Sequence, residues 1–251
     1  MKNSPSMARP VNSDPTESSF RMVARTIEQR IISGEITPGD ILPAESRLAE
    51  QLGVNRSTIR EAIRVLEQNG FVKREPGRRK LITSIPHSGD ISQRLTATMV
   101  LNQVTFEELW EAMYALEPAA AAAAAVRGND EDFAAIEANL AATRQALEDS
   151  ASLVELDIEF HELVATATRN RAIQMARAPL STLFYPPFYA VMSRLNAGQR
   201  LLTAHEQIYK AIRAHDAANA REWMEKHIQD FERGYELANL NMASPVLMPE
   251  R

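Results

Sequence analysis

Between Glu45 and Gly70 the chain reads helix, glycine, helix, and few patterns of that length constrain a fold so tightly. Leu48, Ala49 and Leu52 form one short apolar stripe; Gly53 follows; Ile59, Ile63 and Leu66 form a second stripe at helical spacing. Glycine adopts positive φ at little cost, so Gly53 can end the first helix, and Asn55 can cap the next. The second helix closes near Asn69-Gly70. Two helices joined by a tight turn are the helix-turn-helix layout, whose second helix enters the major groove of DNA. An earlier helix is set by Phe20, Val23, Ala24, Ile27 and Ile31 and stopped by Gly34, and Pro38-Gly39-Asp40 marks a turn.

The face opposite the apolar stripe is basic. Arg56, Arg60 and Arg64 recur every four residues and project from one side. Ser57 and Thr58 sit in the first turn, where hydroxyls and backbone N–H groups can meet phosphate, and arginine can fork onto guanine. A hairpin follows, over 71–75 and 80–83, with its turn at Pro76-Gly77 and a tip carrying Arg78, Arg79 and Lys80. That is a wing suited to phosphates. The charge divides accordingly. The whole chain is at −5, yet residues 20–85 hold 12 Lys/Arg against 8 Asp/Glu, and residues 86–251 hold 14 against 23. One half is built to meet a polyanion and the other is not.

Beyond a short linker at 86–90 only helical periodicities appear. The pattern predicts helices over 91–101, 106–127, 131–147, 153–168, 172–195, 199–215 and 217–240, with Asn129-Asp130 capping the third and Pro186-Pro187 kinking or breaking the fifth. The fold expected is mainly α: a winged helix-turn-helix at 20–85, then an all-helical bundle of about seven helices at 91–240. Residues 1–19 and 241–251 read as flexible tails. No stretch is long and apolar enough to cross a bilayer, and 1–19 lacks the apolar centre of a signal peptide, so a cytoplasmic protein with no membrane partner is expected. Cysteine is absent, so any metal must use histidine and carboxylate.

Three of the five histidines stand in suggestive places. Asp157 and His161 are four apart on one helix and can grip one ion from the same face. His205 and His227 fall on the last two helices, where a single histidine usually reads as a satisfied core residue. His87 lies in the linker and His215 at a helix end, positions that suit solvent or a C-terminal dipole.

The ordered set Pro38-Gly39-Asp40, Leu42-Pro43-Ala44-Glu45, Leu48-Ala49, Gly53 to Ala62, Leu66, Gly70 and Phe71 resembles the DNA-binding domain of the GntR family. The resemblance implies that Arg56, Ser57, Thr58 and Arg60, with the wing tip at Gly77, Arg78 and Arg79, contact operator DNA, and Arg47 and Arg64 join them by position. Ser46 stands where family members often carry arginine, and Arg79 replaces a common glycine. Farther on, Glu117-Pro118-Ala119-Ala120, Asp157 to His161, Asn170, His205-Glu206 and Met224 with His227 look like the FCD effector domain of the FadR-like branch. That likeness implies a divalent transition metal held by Asp157, His161, His205 and His227, with Zn2+ the first choice and Ni2+, Fe2+ or Mn2+ compatible. It also implies a small organic-acid or sugar-acid effector. Met113 stands where arginine is common in the family, and Tyr185, Tyr189 and Arg194 are pocket candidates by position.

The function expected is a homodimeric repressor that leaves a palindromic operator when a metabolite binds at the metal. Two other readings stay open at this stage. A metal-dependent hydrolase could use Glu159, Glu162 or Glu206 as base, although the second histidine of H-E-x-x-H is missing. A ligand-independent architectural DNA binder is the other.

Overall fold

The computed structural model describes residues 18–75 and 80–248. The chain divides into two compact units, Met1–Asp90 and Ile91–Arg251.

In the first unit, α1 (Ser19–Ile32), α2 (Glu45–Leu52) and α3 (Arg56–Gln68) pack around Ile27, Leu48, Ile59, Ile63 and Leu66. Gly53 takes φ +66° and ends α2, and Gly34 at φ +78° follows the end of α1. Asn55 occupies the N-cap of α3, but its side chain makes no capping bond. A three-stranded antiparallel sheet runs in the order β1 (Ile41–Leu42), β3 (Leu81–Thr83), β2 (Val72–Arg74). The outer strand β1 has no signature in the sequence because two residues carry no alternation; pairing to β3 creates it. The Thr83 hydroxyl donates to the Thr37 carbonyl at 2.6 Å, tying the turn to the sheet. The wing tip expected at 77–79 lies outside the described residues.

The second unit is helical: α4 (Ser88–Leu101), α5 (Phe106–Arg127), α6 (Asp130–Gln145), α7 (Ser150–Ala167), α8 (Arg171–Leu195), α9 (Gly198–Arg213) and α10 (Ala217–Leu237). The linker expected at 86–90 is shorter, since α4 already starts at Ser88. The run of alanines on α5 lies against the core, with Ala121, Ala124 and Ala125 wholly buried and no side chain to hold neighbours apart. Capping boxes at Thr105/Glu108 and Asn129/Asp132 fix the starts of α5 and α6.

Two expectations are corrected. Pro186-Pro187 does not break α8, which runs through Pro179 and both later prolines. Each proline removes one helical donor, but the two adjacent ones share a single turn, and Leu183, Phe184, Phe188 and Val191 around them are buried in the core. Residues 241–248 are not a loose tail. The Phe106 and Glu107 amides donate to the Ser244 and Met242 carbonyls at 3.0 Å each, and the Val246 amide donates to the Val104 carbonyl at 2.8 Å. A helix start leaves its first amides without partners, and this segment supplies them while burying Val246.

Candidate functional site

Three helices of the second unit converge on one buried group. One turn of α7 separates Asp157 from His161, α9 brings His205 and α10 brings His227, and all four side chains are buried. One ligand atom from each lies within 4.8 Å of all the others. The His161 and His227 Nε2 atoms are 3.2 Å apart; Asp157 Oδ1 is 3.2 Å from His205 Nε2 and 3.8 Å from the other two. Ligands about 2.0–2.2 Å from one ion stand roughly 3.0–3.6 Å from each other; the two 3.2 Å spacings fall within that range, and the two 3.8 Å spacings would have to close by a few tenths of an ångström around a shared cation.

Hydrogen bonding supports that fit. Asp157 Oδ1 and both ring nitrogens of His205 are buried without a hydrogen bond. The 3.2 Å contact between Asp157 and His205 Nε2 is misaligned for one, as expected of lone pairs aimed at a third point. Each orphaned buried atom costs about 1–3 kcal/mol, and a cation would satisfy Asp157 and one nitrogen of His205. The His205 ring itself is held by stacking on Phe160, centroids 3.7 Å apart.

Protonation is set by the surroundings. Burial holds His205 below the usual imidazole range, and burial together with the charges of His205 and His161 pushes His227 well below it. Both therefore offer lone pairs. For Asp157, burial opposes ionisation, but His161, His205 and His227 outweigh it and keep the carboxyl below its ordinary value. His161 differs: burial would lower it, yet the carboxylates of Glu117 and Asp157 raise it.

Two residues that sequence reasoning did not place complete the site. Glu117 on α5 lies 2.9 Å from His161 Nδ1, an arrangement that turns His161 Nε2 toward the other ligands. Arg177 on α8 donates through Nε to the second oxygen of Glu117 at 2.5 Å. Burial alone would push Glu117 up, but His161 and Arg177 hold it at about 2. Glu117 had a signal, since it opens the Glu-Pro motif; Arg177 lies in no motif. Met113 lines the cavity beside Asp157 and His161. Arg194 does not: its guanidinium donates to the Ala238 carbonyl at the end of α10. Tyr189 is exposed and outside that cavity, and the Tyr185 side chain is outside what is described. His215 reaches the Ala125 carbonyl at 2.8 Å, near the C-terminal end of α5.

In the first unit α3 buries Ile59, Ala62, Ile63 and Leu66 and leaves Arg56, Ser57, Arg60 and Arg64 exposed, with Thr58 half-buried. Arg47 is exposed on α2. Arg60 pairs with Glu45 at 3.0 Å, and Arg74 of β2 reaches both Glu45 at 3.5 Å and Glu67 at 2.8 Å. Arg56, Arg60, Arg74 and Lys80 thus line one concavity, a grouping the linear spacing hides in the case of Arg74.

Comparison with known proteins agrees in both units. Residues 20–82 match the profile of bacterial regulatory proteins of the gntR family, and residues 108–230 match the FCD domain. The Glc operon transcriptional activator of Escherichia coli (strain K12) is 30% identical over 76% of this chain and 78% of its own length. The chain belongs to the GntR family. Among its GntR relatives, HTH-type transcriptional regulator LutR of Bacillus subtilis (strain 168) is 28% identical over 80% of this chain and 94% of LutR. A solved Streptococcus agalactiae GntR structure superposes with a TM-score of 0.58 at 27% identity, covering 85% of this chain and 99% of that one. As a GntR-family member with an FCD domain, the protein is a DNA-binding transcription regulator and not an enzyme. No helix among the described residues is long and apolar enough to cross a membrane.

Proposed function

We propose that this GntR-family protein binds a palindromic operator as a homodimer and releases it when a small organic or sugar acid binds the helical unit, so that it acts as a repressor. Arg47, Arg56, Ser57, Thr58, Arg60 and Arg64, with the turn at Gly77, Arg78 and Arg79, are the proposed DNA contacts. Support comes from the exposed basic face of α3 above a buried apolar stripe, the arrangement a recognition helix requires. Two-fold symmetry follows from the operator, because two recognition helices must meet two half-sites.

Asp157, His161, His205 and His227 are the proposed ligands of a divalent transition ion, Zn2+ first and Ni2+, Fe2+ or Mn2+ next. Such an ion would supply positive charge in a buried place. The observation that carries the reading is the set of unsatisfied buried atoms at Asp157 and His205. The remaining steps fall to this chain. Glu117 holds the orientation of His161, and Arg177 holds Glu117. The acid must bind DNA-competent and DNA-incompetent states with different affinity, or it shifts nothing.

The test uses operator duplexes selected from a random library by the full-length protein. Operator affinity is measured with and without a panel of hydroxy acids and sugar acids. One of them is expected to weaken binding roughly five- to a hundredfold. Asp157→Ala is expected to keep operator affinity and lose most of that response. Indifference to every acid would favour an architectural role, and an undiminished response in the variant would remove the metal site from the mechanism.

A further inference from the structure

The chamber beside Asp157, His161 and His227 has a volume of about 20 Å3, room for little more than one water or one ion. Larger spaces lie on three sides of it. The groove between α7 and α8, about 480 Å3, meets the chamber at Ile158, Arg177 and Ser181. A mostly apolar pocket at the end of α8 meets it at Phe188, His227 and Phe231. The groove between α9 and α10, about 340 Å3, meets it at His227 alone among the described residues.

The three walls ask different things of a cation. At the first, Arg177 is paired with Glu117, and moving it aside would leave a buried carboxylate uncompensated. Glu155 and Glu162 in the outer groove gather cations without lowering that barrier. At the second, two phenylalanine rings offer nothing in place of water, and stripping an ion of water without replacement is very costly. At the third, the wall is itself a ligand.

His227 is also the histidine free to turn. A metal-bound imidazole is usually fixed by a partner on its other nitrogen. Glu117 does this for His161, and stacking on Phe160 holds His205. The Nδ1 atom of His227 bonds to no described group and is open to solvent. Asp230 follows His227 by three residues, so the two share a face of α10, and both line the groove. The Asp230 carboxylate is paired with Arg200 of α9. The other cation of the groove, Lys226, is paired with Glu222 at 2.6 Å, so the groove presents no uncompensated positive charge.

We propose that the α9–α10 groove is the passage by which the metal is loaded and lost. His227 is the ligand that turns between groove and chamber, Asp230 the carboxylate that first meets an incoming cation, and Arg200 the side chain that competes for Asp230. The inference rests on the proposed metal site and goes beyond it, from which residues hold the ion to how it arrives.

The test is the rate at which full-length, Zn2+-loaded protein gives up its ion to an excess of coloured chelator, with equilibrium Zn2+ affinity and melting temperature measured beside it. Thr203→Trp obstructs the groove from an exposed position on α9. It should slow release and loading alike by about fivefold, with affinity within about twofold of wild type, because a raised barrier is crossed in both directions. Thr182→Trp, in the α7–α8 groove, should change neither rate. Arg200→Ala and Asp230→Asn break the same exposed ion pair, which is worth little, so effects of about threefold are expected. Their signs should be opposite: Arg200→Ala frees the carboxylate and speeds exchange, whereas Asp230→Asn removes it and slows exchange. Equal effects from the two would reduce the pair to a structural contact and overturn the role of Asp230. Exchange slowed by Thr182→Trp but not by Thr203→Trp, or by neither, would overturn the passage while leaving the metal site standing. Wild-type protein that takes up no Zn2+ would overturn both readings.

Discussion

A ligand cluster is a matter of single atoms, and at this scale both ring nitrogens of His161 have a buried partner. Its Nδ1 faces Glu117 and its Nε2 faces His227, so neither nitrogen has an alternative. His161→Ala should therefore lose most of the bound metal, measured by elemental analysis of protein purified without added metal, against about one ion per chain in the wild type. Protons compete with the ion for imidazole. Because His205 and His227 are held neutral by burial, the competing proton is mainly the one on His161, whose affinity for it Glu117 and Asp157 raise. Occupancy should fall as pH falls, and full occupancy in a His205→Ala, His227→Ala double variant would show that the ion sits elsewhere. The sequence displays these ligands poorly. Only Asp157 and His161 share a helix; His205 and His227 join them through packing, and without the family resemblance each would pass for an ordinary core histidine. Arg177 is further from view, since nothing in its neighbours distinguishes it from a surface arginine, and only the position of α8 beside α5 brings it to Glu117.

At the scale of the element, what the sequence displays well is length and phase. The seven helices of the second unit have starts within three residues of where apolar spacing and caps put them. Signals fail where partners decide. β1 exists by pairing, α8 survives its prolines because its surroundings are core, and residues 242–246 are ordered because the start of α5 needs acceptors. That last contact makes a specific expectation. Val246→Asp removes a buried apolar side chain and puts a charge against the core, which should cost about 3 kcal/mol. For a chain of this size about 2–4 °C is lost per kcal/mol, so the melting temperature should drop by about 6–12 °C. An unchanged melting curve would mean that the segment adds no stability to the bundle.

For the whole molecule, the opposed charges of the two halves matter more than the net value. A net charge of −5 would argue against a nucleic-acid partner were it spread evenly. Concentrated basic residues on the first unit make operator affinity salt-dependent, its logarithm falling linearly with that of salt concentration. Arg64→Ala, at an exposed position toward the end of α3, should lower affinity for all sequences alike and reduce the salt slope by about one if it meets phosphate. Arg60→Ala should cost about 1–3 kcal/mol and relax preference at one position of each half-site if it reads a base edge. Its pairing with Glu45 means that part of this energy is spent on leaving that carboxylate. Filter-binding titrations across a salt series and a set of operator variants distinguish the two outcomes, and no effect from either substitution would place the recognition surface off α3.

The hydrogen bonds between residues 104–107 and 242–246 have an architectural consequence. They tie the late end of the helical unit to the first turn of α5, which the chain reaches only after the whole of α4. The span from α5 to α10 is thereby shut into one long loop, and the entropy of closing a loop grows only slowly with its length.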